Sequence, residues 1–313
     1  MVSRKYFKKR VKELYLQKVV HPLTTKAPLS GKAEANNQFP PFFIIGSGRS
    51  GTTLLRKVLS NHASIIIPPE TDSLIIDSVK YYLDQRKLPW IVRAREIISM
   101  WQKASSFSYW NIELEPLLGK FEKADTSSHS LSYILHAIYL QYAAQFKPGA
   151  FRWGDKTPYL TFGMEWVKMV FPQARFIHML RDGRAVVSSK LKAKRYNSLE
   201  PAAHRWNESL ELIQRFEKKH GPGNVHTVKY EDLVANPEQI CRQVCQFLAL
   251  DFQPSMLSEE SDIQGDIVLP HHANVFNNIN TDSLDKWKKH LSPEQVNQAE
   301  HLMARFLTKY NYY

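Results

Sequence analysis

Apolar positions along this chain repeat with two periods. Phe42-Phe43-Ile44-Ile45 is an unbroken apolar run set between Pro40-Pro41 and Gly46, and a short, β-prone run bounded in this way predicts a buried strand. Directly after it Leu54, Leu55, Val58 and Leu59 recur at helical spacing, and Ser64 to Ile67, closed by Pro68-Pro69, reads as a second strand. A strand, helix, strand unit crosses over right-handed, so the two strands run parallel and end on one edge. From about 71 to 150 the pattern is mainly helical, with Leu131, Ile134, Leu135, Ile138 and Tyr142 as its clearest stripe. The aromatic segment Trp101 to Trp110 is expected to pack on the core. Strand patterns return at Phe151 to Gly154, at Ala174 to Leu180 with His178 inside as a core histidine, and at Val225 to Val228. Helices are predicted over Tyr159 to Phe171, from Ala185, over Glu200 to His220, from Asn236 and over 293–309. Asn236 is expected to cap its helix, with Pro237 in the first turn and Gln239 at the box position.

Chemistry enters where the strands end. Gly46, Gly48 and Gly51, with small hydroxyl residues between them, form a turn that bares backbone N–H groups before a helix, which is a nest for phosphate. The spacing is that of the P-loop G-x-x-x-x-G-K-[ST], except that Thr52 stands where the lysine belongs. Loss of that lysine argues against ATP or GTP hydrolysis. The nearest cation is Arg49, a permanently charged fork suited to an anionic group. Glu70 follows the second strand and so reaches the same edge, where it fits a general base; its alternative use is as part of the first turn of the helix that follows. Lys156 joins them if the third strand belongs to the sheet. Arg181-Asp182-Gly183-Arg184 leaves another strand and runs into a helix carrying Ser188 and Ser189, a second anion site. The competing use of Arg181 is an ion pair with Asp182. Two anion sites on one sheet suit a nucleotide with phosphate at both ends of its ribose.

Composition narrows the class. A length of 313 residues without a Gly/Ser/Pro-rich linker fits one large domain over 40–313, preceded by a basic arm and lead-in over 1–39. Apolar content of 43% with seven Trp and sixteen Phe is enough for a sizeable core. There is no run of 18 apolar residues and no signal-peptide pattern. Cys241 and Cys245, four apart on a predicted helix, read as buried small residues and fit a reducing, cytoplasmic setting. No His/Cys cluster has zinc spacing, so no metal is expected. Of the net charge of +12, residues 1–26 carry +7, leaving a mildly basic globule that a pocket for a multiply charged anion explains without a polynucleotide. In that arm Phe7, Val11 and Leu14 share a face of a basic helix, which either rests solvated on the domain or makes a peripheral contact with an acidic membrane or partner.

Taken in order, GSGRSGTTLLRKVLSNH, PPET, GDKTP, FIHMLRDGRAVVSS, VKYEDL with NPEQ, and DSLDKWKKHLS resemble the sulfotransferases that use 3′-phosphoadenosine 5′-phosphosulfate (PAPS), above all the tyrosylprotein sulfotransferases and related bacterial enzymes. The likeness covers most of 40–292. It implies an α/β fold, a P-loop-like parallel sheet flanked by helices, with the helical insertion at 71–150 covering the acceptor side. It implies that Arg49, Ser50, Gly51, Thr52 and Thr53 wrap the 5′-phosphosulfate, that Arg181 and Ser189 bind the 3′-phosphate, and that Tyr230 also lies at the nucleotide. Glu70 would be the catalytic base, Lys156 and Arg49 would support the transition state, and the Lys286 region would close over the nucleotide. Two positions depart from the family. His272 replaces a serine among the donor contacts, and Ala193 replaces an arginine, with Lys192 and Lys194 as substitutes. The acceptor is open among a peptide tyrosine, a glycan, a lipid and a small alcohol, and a homodimer is left open. Other classes are an ATP-dependent small-molecule kinase, resting on the loop, and a non-catalytic nucleic-acid-binding protein, resting on the arm.

Overall fold

The computed structural model describes residues 28–31, 39–260 and 284–313. Its frame is a sheet of β1 (Phe42–Gly46), β2 (Ile65–Ile66), β3 (Arg152–Lys156), β4 (Arg175–Leu180) and β5 (Val225–Lys229) in the order β2-β3-β1-β4-β5, with every pair parallel. Helix α1 (Thr52–Ser60) joins β1 to β2. β1 is central, with Phe42 opposite Gly154 on one side and Arg175 on the other. A strand buried on both faces needs no polar alternation, which is why its sequence is continuously apolar. Phe42 and Ile44 join α1 in one core, while Phe43 and Ile45 face another.

That second core is built by the insertion: α2 (Leu74–Asp84), α3 (Trp90–Lys103), α4 (Pro116–Glu122) and α5 (Leu131–Phe146). All five residues of the stripe read from the sequence are buried. Tyr139 of α5 stacks on Trp153 of β3 with ring centroids 3.9 Å apart, and Trp101, Phe107 and Trp110 are buried against one another. The insertion is therefore a full layer of the domain as well as a cover. Beyond β3 come α6 (Met164–Val170), α7 (Gly183–Lys192), α8 (Leu199–His220), α9 (Tyr230–Ala235), α10 (Pro237–Leu248), α11 (Lys286–His290) and α12 (Pro293–Lys309).

Several local expectations change. β3 continues through Asp155 and Lys156, so both residues belong to the strand rather than to a following turn. Tyr159 to Phe171 is not one helix: Pro158 opens a 3₁₀ turn to Phe162, Gly163 interrupts, and α6 starts at Met164. Asn236 stands at the cap position of α10 without making a side-chain capping bond. The capping box appears instead at α12, between Ser292 and Gln295. His178 is a core residue, bonded through Nδ1 to Thr227 Oγ1 at 3.2 Å and pushed down to about 3 by burial. Cys241 and Cys245 are buried free thiols, pushed up to about 12 and about 11, mainly by burial. No helix among the described residues is long and apolar enough to cross a membrane. The basic helix expected in the N-terminal arm lies outside the described residues.

Candidate active site

The loop leaving β1 has an unusual backbone. Gly46 and Gly51 have φ of 144° and 100°, and a Cβ on Gly51 would stand 2.4 Å from the Tyr230 ring. A side chain there would be strained and would collide. Arg49 between them has φ of 78°, a left-handed conformation that costs a non-glycine residue about 1 kcal/mol and marks a position where geometry has outweighed local preference. Thr161 anchors the start of the loop: its Oγ1 accepts from Gly46 N at 2.8 Å and donates to Gly46 O at 3.1 Å.

From this loop Arg49 reaches α7, where its Nε donates to Ser189 Oγ at 3.0 Å. Burial, then the charges of Arg181 and Arg195, lower the pKa of the Arg49 guanidinium. A guanidinium held by burial close to two like charges is a setting that a bound anion would stabilise. Arg181 lies over the Tyr230 ring, 4.1 Å from its centroid, where β5 passes into α9. Arg49, Gly51, Arg181, Ser189 and Tyr230 are thus one cluster drawn from β1, β4, α7 and α9. The Ser50 hydroxyl is buried with no hydrogen-bond partner among the described residues, a donor suited to an anion in the loop.

Glu70 and Lys156 form the second group. The Lys156 ammonium, fully buried, pairs with Glu70 Oε1 and lies 3.4 Å from Thr53 Oγ1 at the first turn of α1. Glu70 remains 30% exposed, open to an incoming molecule. It does not cap α2, which begins at Leu74 after Ser73. Its cation is Lys156, whereas Arg49 turns to Ser189.

Other assignments are redistributed. Asp182 caps α7 by accepting from Arg184 N at 2.8 Å, and its ion-pair partner is Arg184, also at 2.8 Å, rather than Arg181. Arg184 further pairs with Glu300 at 2.6 Å and lies over Trp287, so it fastens α11 and α12 to α7. Lys286 is exposed at the start of α11, beside the buried Trp287. His272 lies outside the described residues. Ala193 is the C-terminal cap of α7, and the neighbouring charge that acts on Arg49 is Arg195, not Lys192 or Lys194.

Three features have no signature in the sequence. Asp155 is fully buried and accepts from Tyr139 OH and, at 3.1 Å, from Thr71 Oγ1, while Thr71 N donates to Thr157 Oγ1 at 2.9 Å. This network fixes the residues next to both Glu70 and Lys156, at the price of a carboxyl pushed up to about 6, mainly by burial. Lys190, next to Ser189, donates to Ser47 Oγ in the loop at 2.8 Å. Arg195 is the third. Their partners lie on other elements, so spacing along the chain could not reveal them.

Comparison with known proteins bears on the family and the fold. The model of the sulfotransferase family matches residues 40–254. Protein-tyrosine sulfotransferase A of Caenorhabditis elegans is 26% identical over 287 residues, 88% of this chain and 68% of that protein. The protein-tyrosine sulfotransferase of Drosophila melanogaster is 28% identical over 265 residues, 80% of this chain and 48% of that one. Among solved structures, the sulfotransferase domain of the Synechococcus PCC 7002 olefin synthase superposes with a TM-score of 0.57 at 23% identity, covering 85% of this chain and 96% of the domain. The sulfotransferase domain of the curacin biosynthetic pathway does so with 0.55 at 23%, covering 86% and 99%, and both share the fold. With the family match extending from the anion loop through both cation clusters to α10, the chain belongs to the sulfotransferase family.

Proposed function

We propose that this sulfotransferase takes its sulfuryl group from PAPS and transfers it to a hydroxyl that Glu70 deprotonates. The observation that carries this reading is the Glu70–Lys156 pair at the first turn of α1, beside the arginine cluster. The cluster itself fits a donor with two anionic ends. The loop, with its buried Ser50 hydroxyl and the helix N-terminus at Thr52 and Thr53, suits the phosphosulfate; Arg181, Ser189 and Tyr230 suit the 3′-phosphate.

When bound, the donor supplies the electrophilic sulfur. The residues of the chain orient, exclude water and move one proton. Lys156 and the Asp155 network hold the Glu70 carboxylate at the exposed mouth of the site, where it accepts the proton of the acceptor hydroxyl. Once protonated, Glu70 no longer neutralises Lys156, and the ammonium charge is available to the oxygen on the leaving side. The names of the curated relatives support a peptide tyrosine as the hydroxyl, and the two buried free thiols are in keeping with a cytoplasmic setting.

Glu70→Gln should lower kcat by about 10²- to 10⁴-fold while leaving affinity for adenosine 3′,5′-bisphosphate unchanged. Radiolabelled PAPS with a tyrosine-containing peptide reads the rate, and titration calorimetry without magnesium reads the affinity. Transfer at the wild-type rate by the variant removes Glu70 from the role of base. Binding of ATP that requires magnesium, in place of the bisphosphate, would favour a kinase.

A further inference from the structure

Ser189 and Lys190 are consecutive on α7, and each meets one residue of the anion loop. Ser189 accepts from Arg49, and Lys190 donates to Ser47. Lys190 is only 4% exposed, although lysine is rarely buried without a carboxylate. The groups around it are Ser47 from the loop at 2.8 Å, the Tyr196 ring beyond α7 with its centroid 5.5 Å away, and the like charge of Arg205 on α8. Arg205 is itself paired with Glu208 at 3.3 Å and lies over the Phe162 ring. Among the described residues, no carboxylate pairs with Lys190. Met, Leu or Gln would fill this space without the desolvation of an ammonium.

An amine buried against this loop, facing another cation and with no carboxylate partner among the described residues, can take its counter-charge from what the loop binds. The same loop lacks a cation at its own lysine position, occupied here by Thr52. We propose that Lys190 is a positioning residue that supplies this missing cation from the neighbouring helix, holding Ser47 and acquiring its counter-charge when the phosphosulfate end of the donor enters the loop. The inference rests on the PAPS reading. Burial, and then Arg205, push the Lys190 ammonium down to about 7. At pH 8 it is therefore largely neutral before binding, and an anion close to it draws a proton from solvent.

Titration calorimetry with adenosine 3′,5′-bisphosphate at pH 8, in two buffers of different ionisation enthalpy, measures that proton directly. Wild type should take up a substantial fraction of a proton per ligand, falling toward zero below pH 6, where Lys190 is already charged. Lys190→Met should abolish the uptake and weaken binding at least about tenfold, the effect of one lost charge-assisted contact. Lys190→Arg, permanently charged, should keep most of the affinity and abolish the uptake, which a packing role alone would not do. If Lys190→Met fails to fold by thermal melting, Lys190→Arg decides. Ser47→Ala should keep the uptake and weaken binding only a few-fold. Wild-type affinity and uptake in Lys190→Met, or undiminished uptake in Lys190→Arg, overturns the inference alone. A wild type that does not bind the bisphosphate overturns the donor reading and this inference with it.

Discussion

The two ends of the sheet use the same residue type in opposite ways. At the N-terminal end, Arg152 opens β3 and Arg175 opens β4, and their guanidiniums donate to the carbonyls of Leu248 and Phe247 in the last turn of α10. Those carbonyls have no partner inside the helix, and the helix dipole places negative charge there, so cation and helix end complete each other. Lys147 does the same for the end of α1, donating to Ser60 O at 2.6 Å and to His62 O at 2.9 Å. At the C-terminal end, Arg49 lies in the loop with Arg181 and Arg195 acting on it, Lys190 donates to Ser47 of the same loop, and Lys156 reaches Thr53 in the first turn of α1. At one end the cations are set against helix carbonyls, although burial and then Arg175 lower the Arg152 guanidinium to about 10; at the other, cations gather by the loop, where they suit the anionic donor proposed above. A basic residue in this fold therefore acquires its meaning from the helix terminus it faces.

The sharpest test of the contrast is at Arg49. Arg49→Ala should cost about 3–4 kcal/mol of transition-state stabilisation, read as a drop of about two to three orders of magnitude in kcat/KM, with melting temperature unchanged or raised as repulsion with Arg181 and Arg195 is relieved. A clear fall in melting temperature would mean that Arg49 is structural, like Arg152.

Asp155 tests whether the functional end carries a stability cost. Its folded pKa, about 6, lies above its ordinary 3.8, so the folded state holds the proton more tightly than the unfolded chain. The contribution of this group to stability is therefore greatest below about pH 4 and is lost as pH rises to about 6. Asp155→Asn, which keeps an acceptor for Tyr139 and Thr71, should raise stability at pH 7 by about 2 kcal/mol, and this gain should shrink as pH falls toward 4. Denaturant unfolding at pH 7 and pH 4 measures it, and a gain independent of pH would show that packing, not charge, is responsible.

The smallest effect belongs to the closed end. Arg175→Met should destabilise by about 1 kcal/mol through loss of the Phe247 carbonyl contact, with affinity for adenosine 3′,5′-bisphosphate untouched. A change in that affinity would mean that the two ends are coupled through β4.

Much of this arrangement was legible along the chain because it depends on neighbours in sequence. The apolar run of β1, the glycines of the loop and the helical stripe of α1 lie within one strand, turn, helix unit, and the order of strands and helices follows from periodicity alone. The pairing of Glu70 with Lys156 was within reach because Glu70 follows β2 and Lys156 ends β3, and the two parallel strands end on the same edge. The hand of the crossover rather than any local signal brings them there. Whether Glu70 began a helix could not be read locally, because Thr71, Asp72 and Ser73 offer equally good first-turn chemistry. The structure resolves it by starting α2 at Leu74, four residues after Glu70.

The class of the sheet, the glycine loop after β1 and the residue types at the strand ends are set by the chain alone, because these rest on hydrophobic period, turn chemistry and the rule that parallel strands end together. Which cation serves which partner was left to the fold, which placed Arg184 on Asp182 and Glu300, Arg49 on Ser189 and Lys190 on Ser47, and selected Lys156 rather than Arg49 for Glu70. Apart from Arg184 with Asp182, two residues away, these pairs join residues 86 to 143 apart, and electrostatic pairing across such separations depends on distance and burial, neither of which leaves a trace in local spacing.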